Sequence, residues 1–358
     1  MKQLYAQVIA DVRNGKAPSI HPELYRAYSE NLTKGVSGVF SPSAYGDRYS
    51  DMQIQFEANV ARFAAYKAFH ATQQLQRQLA DADGVARSPE DFDRMARAVL
   101  NTFNRYQAAE YNTAVARARS AKQWTDFSQP DNMFLFPNLR WIPSRSADPR
   151  EQHIPFYNRV WAKDDPFWNS NQPGNLWNCK CDWEETDDPV TDGNPEGLKP
   201  AKGLEGNPAK TGQIFTDQCT YVKKAKGYSD VNALYRDQMV EQAKNIDKTV
   251  SVQIGGQQHE VTVNKVGITE SVKKSFGNPD YWLRNKLLEH IGEWLPKANY
   301  VTTEPIDLTH NSGKTLKLKK RMEKAHKLQL DLRRKSFWIT IFEYRDSGKM
   351  LFYCIEPI

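Results

Sequence analysis

The sequence predicts an α+β chain: a helical N-terminal region, an irregular α+β middle, a linker, and a small, basic, β-rich C-terminal domain. Three observations carry this. Apolar residues recur at helical spacing between Asp51 and Trp124. Prolines then arrive in quick succession, at 130, 137, 143, 149, 155 and 166, among aromatic and branched residues that suit only short strands. From Val250 onward, β-branched stretches alternate with Gly, Asn and Asp turn signals. At 358 residues the chain exceeds what one core usually holds, so more than one domain is expected.

Residues 1–50 read as an N-terminal arm, a short helical start followed by the turn-rich loop KGVSGVFSPSAYGDRYSD. The stretch from Asp51 to about Asp81 is a helix, with Ile54, Ala58, Ala61, Ala65, Phe69 and Leu75 on its apolar spacing and Asp51 as N-cap. DADGVAR breaks it. Ser88 and Pro89 then open a second helical region running to Trp124, with Asp91 in a capping-box-like place. The middle segment closes near Glu185, so 51–185 is one domain. Residues 186–212, TDDPVTDGNPEGLKPAKGLEGNPAKTG, carry almost no large apolar side chain and read as a linker or long surface loop. With a short helix after it, the linking region extends over 186–249. The domain 250–358 begins with a hairpin at Gly255-Gly256, continues into the amphipathic helix PDYWLRNKLLEHIGEWLPKA, and ends in strands, the last two joined at Asp346–Gly348.

Net charge is +6. Residues 250–358 hold 18 Lys/Arg and 12 Asp/Glu, so the whole surplus lies there. A basic surface of this kind favours phosphate backbones. No apolar run approaches a membrane span, so no membrane partner is expected, and the N-terminus lacks a signal-peptide layout. Four scattered cysteines do not form a secreted disulfide framework, and synthesis in the cytoplasm is expected. There is no Gly-rich phosphate loop, no nucleophile elbow and no HExxH, so no cofactor is implied.

The stretch DDPFWNSNQPGNLWNCKCDWEE sets Phe167, Trp168, Trp177 and Trp183 around Cys179 and Cys181. The cysteines read as half a metal site, a redox pair, or small apolar residues in an aromatic corner. Taken with the preceding helix, the region resembles the phage Mu F-like minor head (head morphogenesis) proteins. Glu110 and Asn112 match the family's helix and Trp141 its strand. Asp148, Arg150 and His153 match its middle; Asp165, Pro166, Phe167, Pro173, Cys179 and Cys181 match its closing loop. Lys180 stands where the family usually has arginine, and Tyr157 where glycine is common. The resemblance spans about residues 50–185. It implies a minor capsid component, inside the head near the portal vertex, in contact with portal and other capsid proteins, and present in the host cytoplasm during assembly. Structural zinc usually takes four ligands with a longer cysteine spacing. Packing is therefore the reading preferred for the cysteines, with His153, Cys179 and Cys181 as the set a metal would use. In the packing reading the cysteines fill holes beneath Trp168, Trp177 and Trp183, and Arg150 and His153 bond loop carbonyls.

Residues 250–358 are similar in order and texture to phage-associated members of the barnase/EndoU/RelE-like nuclease superfamily, a helix followed by an antiparallel meander. Leu295, Pro296, Ala298 and Tyr300 match the phrase between helix and first strand. The resemblance implies a metal-independent ribonuclease and, with it, an immunity protein as partner. Such chemistry needs an acid, a base and cations for the phosphorane. The candidates are His290 and His326, with His310 nearby in sequence, and Thr340 and Tyr344 as orienting groups. Lys314, Lys317, Lys319, Lys320, Arg321, Arg333 and Arg334 are the candidates for binding RNA substrate or packaged DNA. Three functions follow as expectations: a minor head protein carrying a ribonuclease, a purely structural head protein whose C-terminal domain binds without catalysis, and a plain nucleic-acid-binding module.

Overall fold

Alanine sets the architecture of the N-terminal half. Helix α3 (Ser50–Arg77) buries Ala58, Ala61, Ala64, Ala65, Ala68 and Ala71 together with Ile54, Phe56, Val60 and Phe63, so it is covered on most of its faces. Small side chains let neighbouring backbones approach, which a helix enclosed by others requires. The structure is a computed structural model that describes residues 2–40, 48–223, 227–309 and 313–358. It divides into two units, Met1–Val231 and Asn232–Ile358.

In the first unit, α1 (Lys2–Arg13), α2 (Pro22–Ser37) and α4 (Pro89–Arg105) pack on α3, while α5 (Gln107–Phe127) packs on α2 and α4 and reaches α3 through the Glu110–Lys67 pair. The expected arm is thus mostly two packed helices, with Val8, Leu24 and Val36 fully buried. Residues 41–47 of the turn-rich loop lie outside the described residues. Ser88 caps α4 as its sequence predicts, its Oγ accepting from Asp91 N at 3.1 Å. Asp51 lies within the first turn of α3 rather than at its cap. The single helical region expected up to Trp124 is two helices, interrupted at Tyr106.

After the short helix α6 (Pro130–Leu135), the proline-rich middle forms a three-stranded antiparallel sheet. Its centre is β1 (Asn138–Ile142), flanked by β2 (Val160–Ala162) and β3 (Asp182–Thr186). Trp141 faces Trp183 across β1 and β3. With Leu139, Phe156, Trp161 and Trp168 they form one buried aromatic cluster.

The stretch expected as a linker is irregular but packed. Leu204, Ile214 and Phe215 are buried, two short helices occur, α7 (Pro208–Thr211) and α8 (Thr220–Lys223), and the segment belongs to the first unit. The reason lies in α5. Its Arg117 is fully buried, and its guanidinium donates to the Leu204 carbonyl at 2.8 Å and the Gly206 carbonyl at 3.1 Å. A buried guanidinium needs acceptors, and this loop supplies them.

Helix α9 (Tyr228–Gln242) contains the division between the units. Beyond it the hairpin forms as expected from β4 (Asp247–Ile254) and β5 (Gln257–Asn264). Gly255 and Gly256 take φ of +58° and +83°, the two positive values a tight two-residue turn demands. Helices α10 (Lys265–Lys273), α11 (Tyr281–Glu289) and α12 (Ile291–Trp294) follow. The amphipathic helix of the sequence is therefore split, and the split falls at His290. Strand β6 (Asn299–Pro305), helix α13 (Gly313–Lys319), and strands β7 (Met322–Leu332), β8 (Lys335–Tyr344) and β9 (Met350–Pro357) complete the unit. The six strands lie in the order β4-β5-β9-β8-β7-β6, antiparallel except for β5 with β9. Among the described residues no helix is long and apolar enough to cross a membrane.

Candidate functional site

Helix α5 organises the loop that closes the aromatic cluster. Asn112 Nδ2 donates to Asn178 Oδ1 at 3.0 Å, and Thr113 Oγ1, one residue on, accepts from Asn178 N at 2.8 Å. Ser120 Oγ bonds the Pro173 carbonyl at 2.9 Å. Residues 173–178 are thereby pinned to one helix, and Cys179 follows at the point where the chain turns toward β3.

That pinning brings together residues far apart in sequence. His153 Nδ1 lies 3.5 Å from Cys179 Sγ and 3.5 Å from Cys181 Sγ, and the three donor atoms lie within 4.8 Å of one another. His153 is fully buried and Cys179 nearly so, while Cys181 is half-buried. The other ring nitrogen, Nε2, is 2.9 Å from Asn175 Oδ1. Asn175 has its amide nitrogen on the Ser170 carbonyl at 3.0 Å, so its oxygen must be the atom facing the histidine. An oxygen acceptor places the proton on Nε2 and leaves Nδ1 as a bare lone pair aimed at both sulfurs. The Trp141 and His153 rings meet edge to face, with 5.0 Å between centroids. Cys179 is lowered well below an ordinary thiol, chiefly by a hydrogen bond from Cys181, and Cys181 is raised by the same bond and by burial.

The packing reading of the cysteines holds only in part. Cys181 does pack against the aromatic cluster beside Trp168 and Trp183. Trp177 lies elsewhere and stacks on Phe215 at 5.6 Å. Arg150 bonds a loop carbonyl as expected, that of Trp177 at 2.6 Å, but His153 bonds the Asn175 side chain instead. Asn175 carries no warning in the sequence, since an Asn after Pro-Gly reads as a turn former.

Glu110, the other matched helix residue, is buried against Lys67, and its second oxygen accepts from the Tyr221 hydroxyl at 3.2 Å. It borders a cavity of about 640 Å³ lined also by Tyr106, Trp177, Cys219 and Tyr221. Its carboxylate is engaged on both oxygens, which suits a structural role better than proton transfer.

In the second unit the ribonuclease candidates do not converge on one point. His290 occupies the break between α11 and α12, with Nδ1 3.4 Å from Glu293. His326 on β7 is buried, with Nδ1 2.8 Å from Thr303 Oγ1 and Nε2 3.1 Å from Glu343 Oε2. Burial lowers its pKa against the pull of Glu343. Thr340 pairs with Lys327, the next residue along β7 from His326, and accepts from its Nζ at 3.0 Å. Successive residues of a strand face opposite ways, so Thr340 and Tyr344 lie on the face opposite His326. Lys314, Lys317 and Lys319 are on α13, where Lys319 bonds the Asp307 carbonyl at 3.1 Å. Lys320 and Arg321 follow directly, and Arg321 lies over the Tyr344 ring. Arg333 and Arg334 form the β7–β8 turn, at the far end of an 11-residue strand. At about 3.3 Å per residue that separates the two basic groups by roughly 30 Å. His310 lies outside the described residues.

Comparison with known proteins gives one informative likeness. Over 74 residues the chain is 28% identical to "Putative capsid assembly protein F" of Escherichia phage Mu, a match that takes in 21% of this chain and 16% of that protein. No protein-family model matches the chain, and no solved structure matches it.

Proposed function

We propose that the chain is a phage head-associated protein whose first unit is a capsid-assembly module. The observation that supports this reading is the convergence of the residues the family pattern names. Trp141, His153, Cys179 and Cys181 meet in one buried centre, and Asn112 pins the loop that leads into it. The 74-residue likeness to the phage Mu "Putative capsid assembly protein F" points the same way. A position inside the head near the portal, with portal and capsid proteins as partners, belongs to the same proposal.

For the second unit we favour binding without catalysis. The acid, base and orienting candidates are split across two faces of the sheet, whereas α13 with Lys320 and Arg321 forms one basic group suited to phosphate contact. One observation keeps the ribonuclease reading alive: His326 is hydrogen-bonded to both Glu343 and Thr303, an arrangement able to move a proton.

The test is to purify particles of the phage that encodes the chain on a density gradient and search them by mass spectrometry. The chain should co-sediment with filled heads, and deleting its gene should abolish infectious particles. Absence from particles, with particle yield unchanged on deletion, overturns the reading.

A further inference from the structure

We propose that His153, Cys179 and Cys181 form a zinc site with three protein ligands, its fourth position taken by water or another exogenous donor. The distances favour it. In a tetrahedral site with Zn–S near 2.3 Å and Zn–N near 2.0 Å, the sulfur–nitrogen edge is about 3.5 Å and the sulfur–sulfur edge about 3.8 Å. Both sulfur–nitrogen distances here are 3.5 Å, and no pair of the three donor atoms exceeds 4.8 Å. Two N···S contacts of equal length at one lone pair leave room for a cation between the three atoms.

The surroundings are those of a metal site as well. Metal-bound histidines usually donate their second N–H to a fixed acceptor, which sets the tautomer and the ring orientation. Asn175, buried and locked by Ser170, does this for His153. The Trp141 Nε1 and Tyr157 hydroxyl donors are buried and face Cys181. Donors of this kind stabilise a metal-bound thiolate, whose sulfur keeps lone pairs outside the metal bond. Cys181 is the least enclosed of the three ligands. Nitrogen and thiolate donors select zinc over calcium or magnesium, which take oxygen ligands.

The experiment uses the full chain, freed of any histidine tag and dialysed against zinc. Elemental analysis should give about one zinc per chain, falling at least tenfold in the Cys179→Ser and Cys181→Ser variants. Because those variants could fail to fold, a second measurement uses the unaltered protein. Cys179 and Cys181 should resist alkylation until a strong chelator is added, while Cys219 and Cys354 behave alike with and without it. Cobalt in place of zinc should give sulfur-to-metal charge-transfer absorption. The proposal is overturned if zinc content does not exceed that of the variants, if copper is bound in its place, or if peptide mapping finds a Cys179–Cys181 disulfide.

Discussion

Lys67 and Glu110 show what single residues contribute in this protein. Both are almost fully buried; burial pushes the lysine down and the carboxyl up, opposed by their mutual attraction and, at Glu110, by the Tyr221 hydroxyl. Removing one partner strands the other. Lys67→Met should cost about 3–5 kcal/mol in urea unfolding, whereas Lys67→Met combined with Glu110→Leu should recover most of that loss. His326 yields a prediction in pH. Its folded-state pKa is depressed by burial, with Glu343 opposing and His259 and Lys324 adding to the fall. The unfolded chain therefore takes up a proton first as pH drops. The contribution is fully present above the ordinary imidazole value of about 6.5 and is lost as pH falls toward the depressed one, by at most about 1.4 kcal/mol per unit. His326→Gln should flatten the dependence of urea midpoint on pH between 7 and 5; an unchanged slope would count against the assignment. At this scale the sequence was partly legible. Cys179, Cys181 and His153 stood out by residue type, but nothing in spacing said that residues 26 and 28 positions apart would meet. Asn175 was invisible because its role exists only once the loop has folded.

At the scale of elements, local chemistry decided what could be read in advance. The Ser88 cap and the Gly255-Gly256 turn are short-range devices, and both form as their residues specify. Strand β7 is hard to read in advance because Lys324, Lys327 and their neighbours give the stretch a basic character. Its Leu328, Leu330 and Leu332 are nevertheless buried on one face. Helix α2 runs on to Ser37, into the stretch read as loop, because its Lys-Gly-Val-Ser end looks like a turn when the packing partner is unknown. The contact of α10 with β9 gives the sharpest test. A side chain at Gly267 would meet the Phe352 carbonyl oxygen at 2.1 Å, backbone that cannot move alone. Gly267→Ala should destabilise the second unit by about 1–3 kcal/mol, measured as a fall in its melting midpoint.

On the scale of the whole molecule, the chain holds two units with separate cores, one built on α3 and the tryptophan cluster, the other on the six-stranded sheet. Calorimetry should show two transitions. A zinc chelator should shift the one belonging to Met1–Val231, and Gly267→Ala only the other. The division at two-thirds of the chain was visible in charge and texture, since basic residues and alternating strands both begin near Val250. Its position was not, because a polar, Gly/Pro-rich segment looks like a tether whether or not something buried reaches out to hold it. Arg117 does so here. That one guanidinium also sets where the gene can be cut. A fragment stopping at Glu185 would contain every residue of the His153 centre and still lack the carbonyls of Leu204 and Gly206. An unsatisfied cation would then sit inside α5 beneath the loop it should anchor. Expression trials should therefore give insoluble 1–185 and soluble 1–231, and the shortest usable vehicle for the metal centre is longer than its motif by some forty residues.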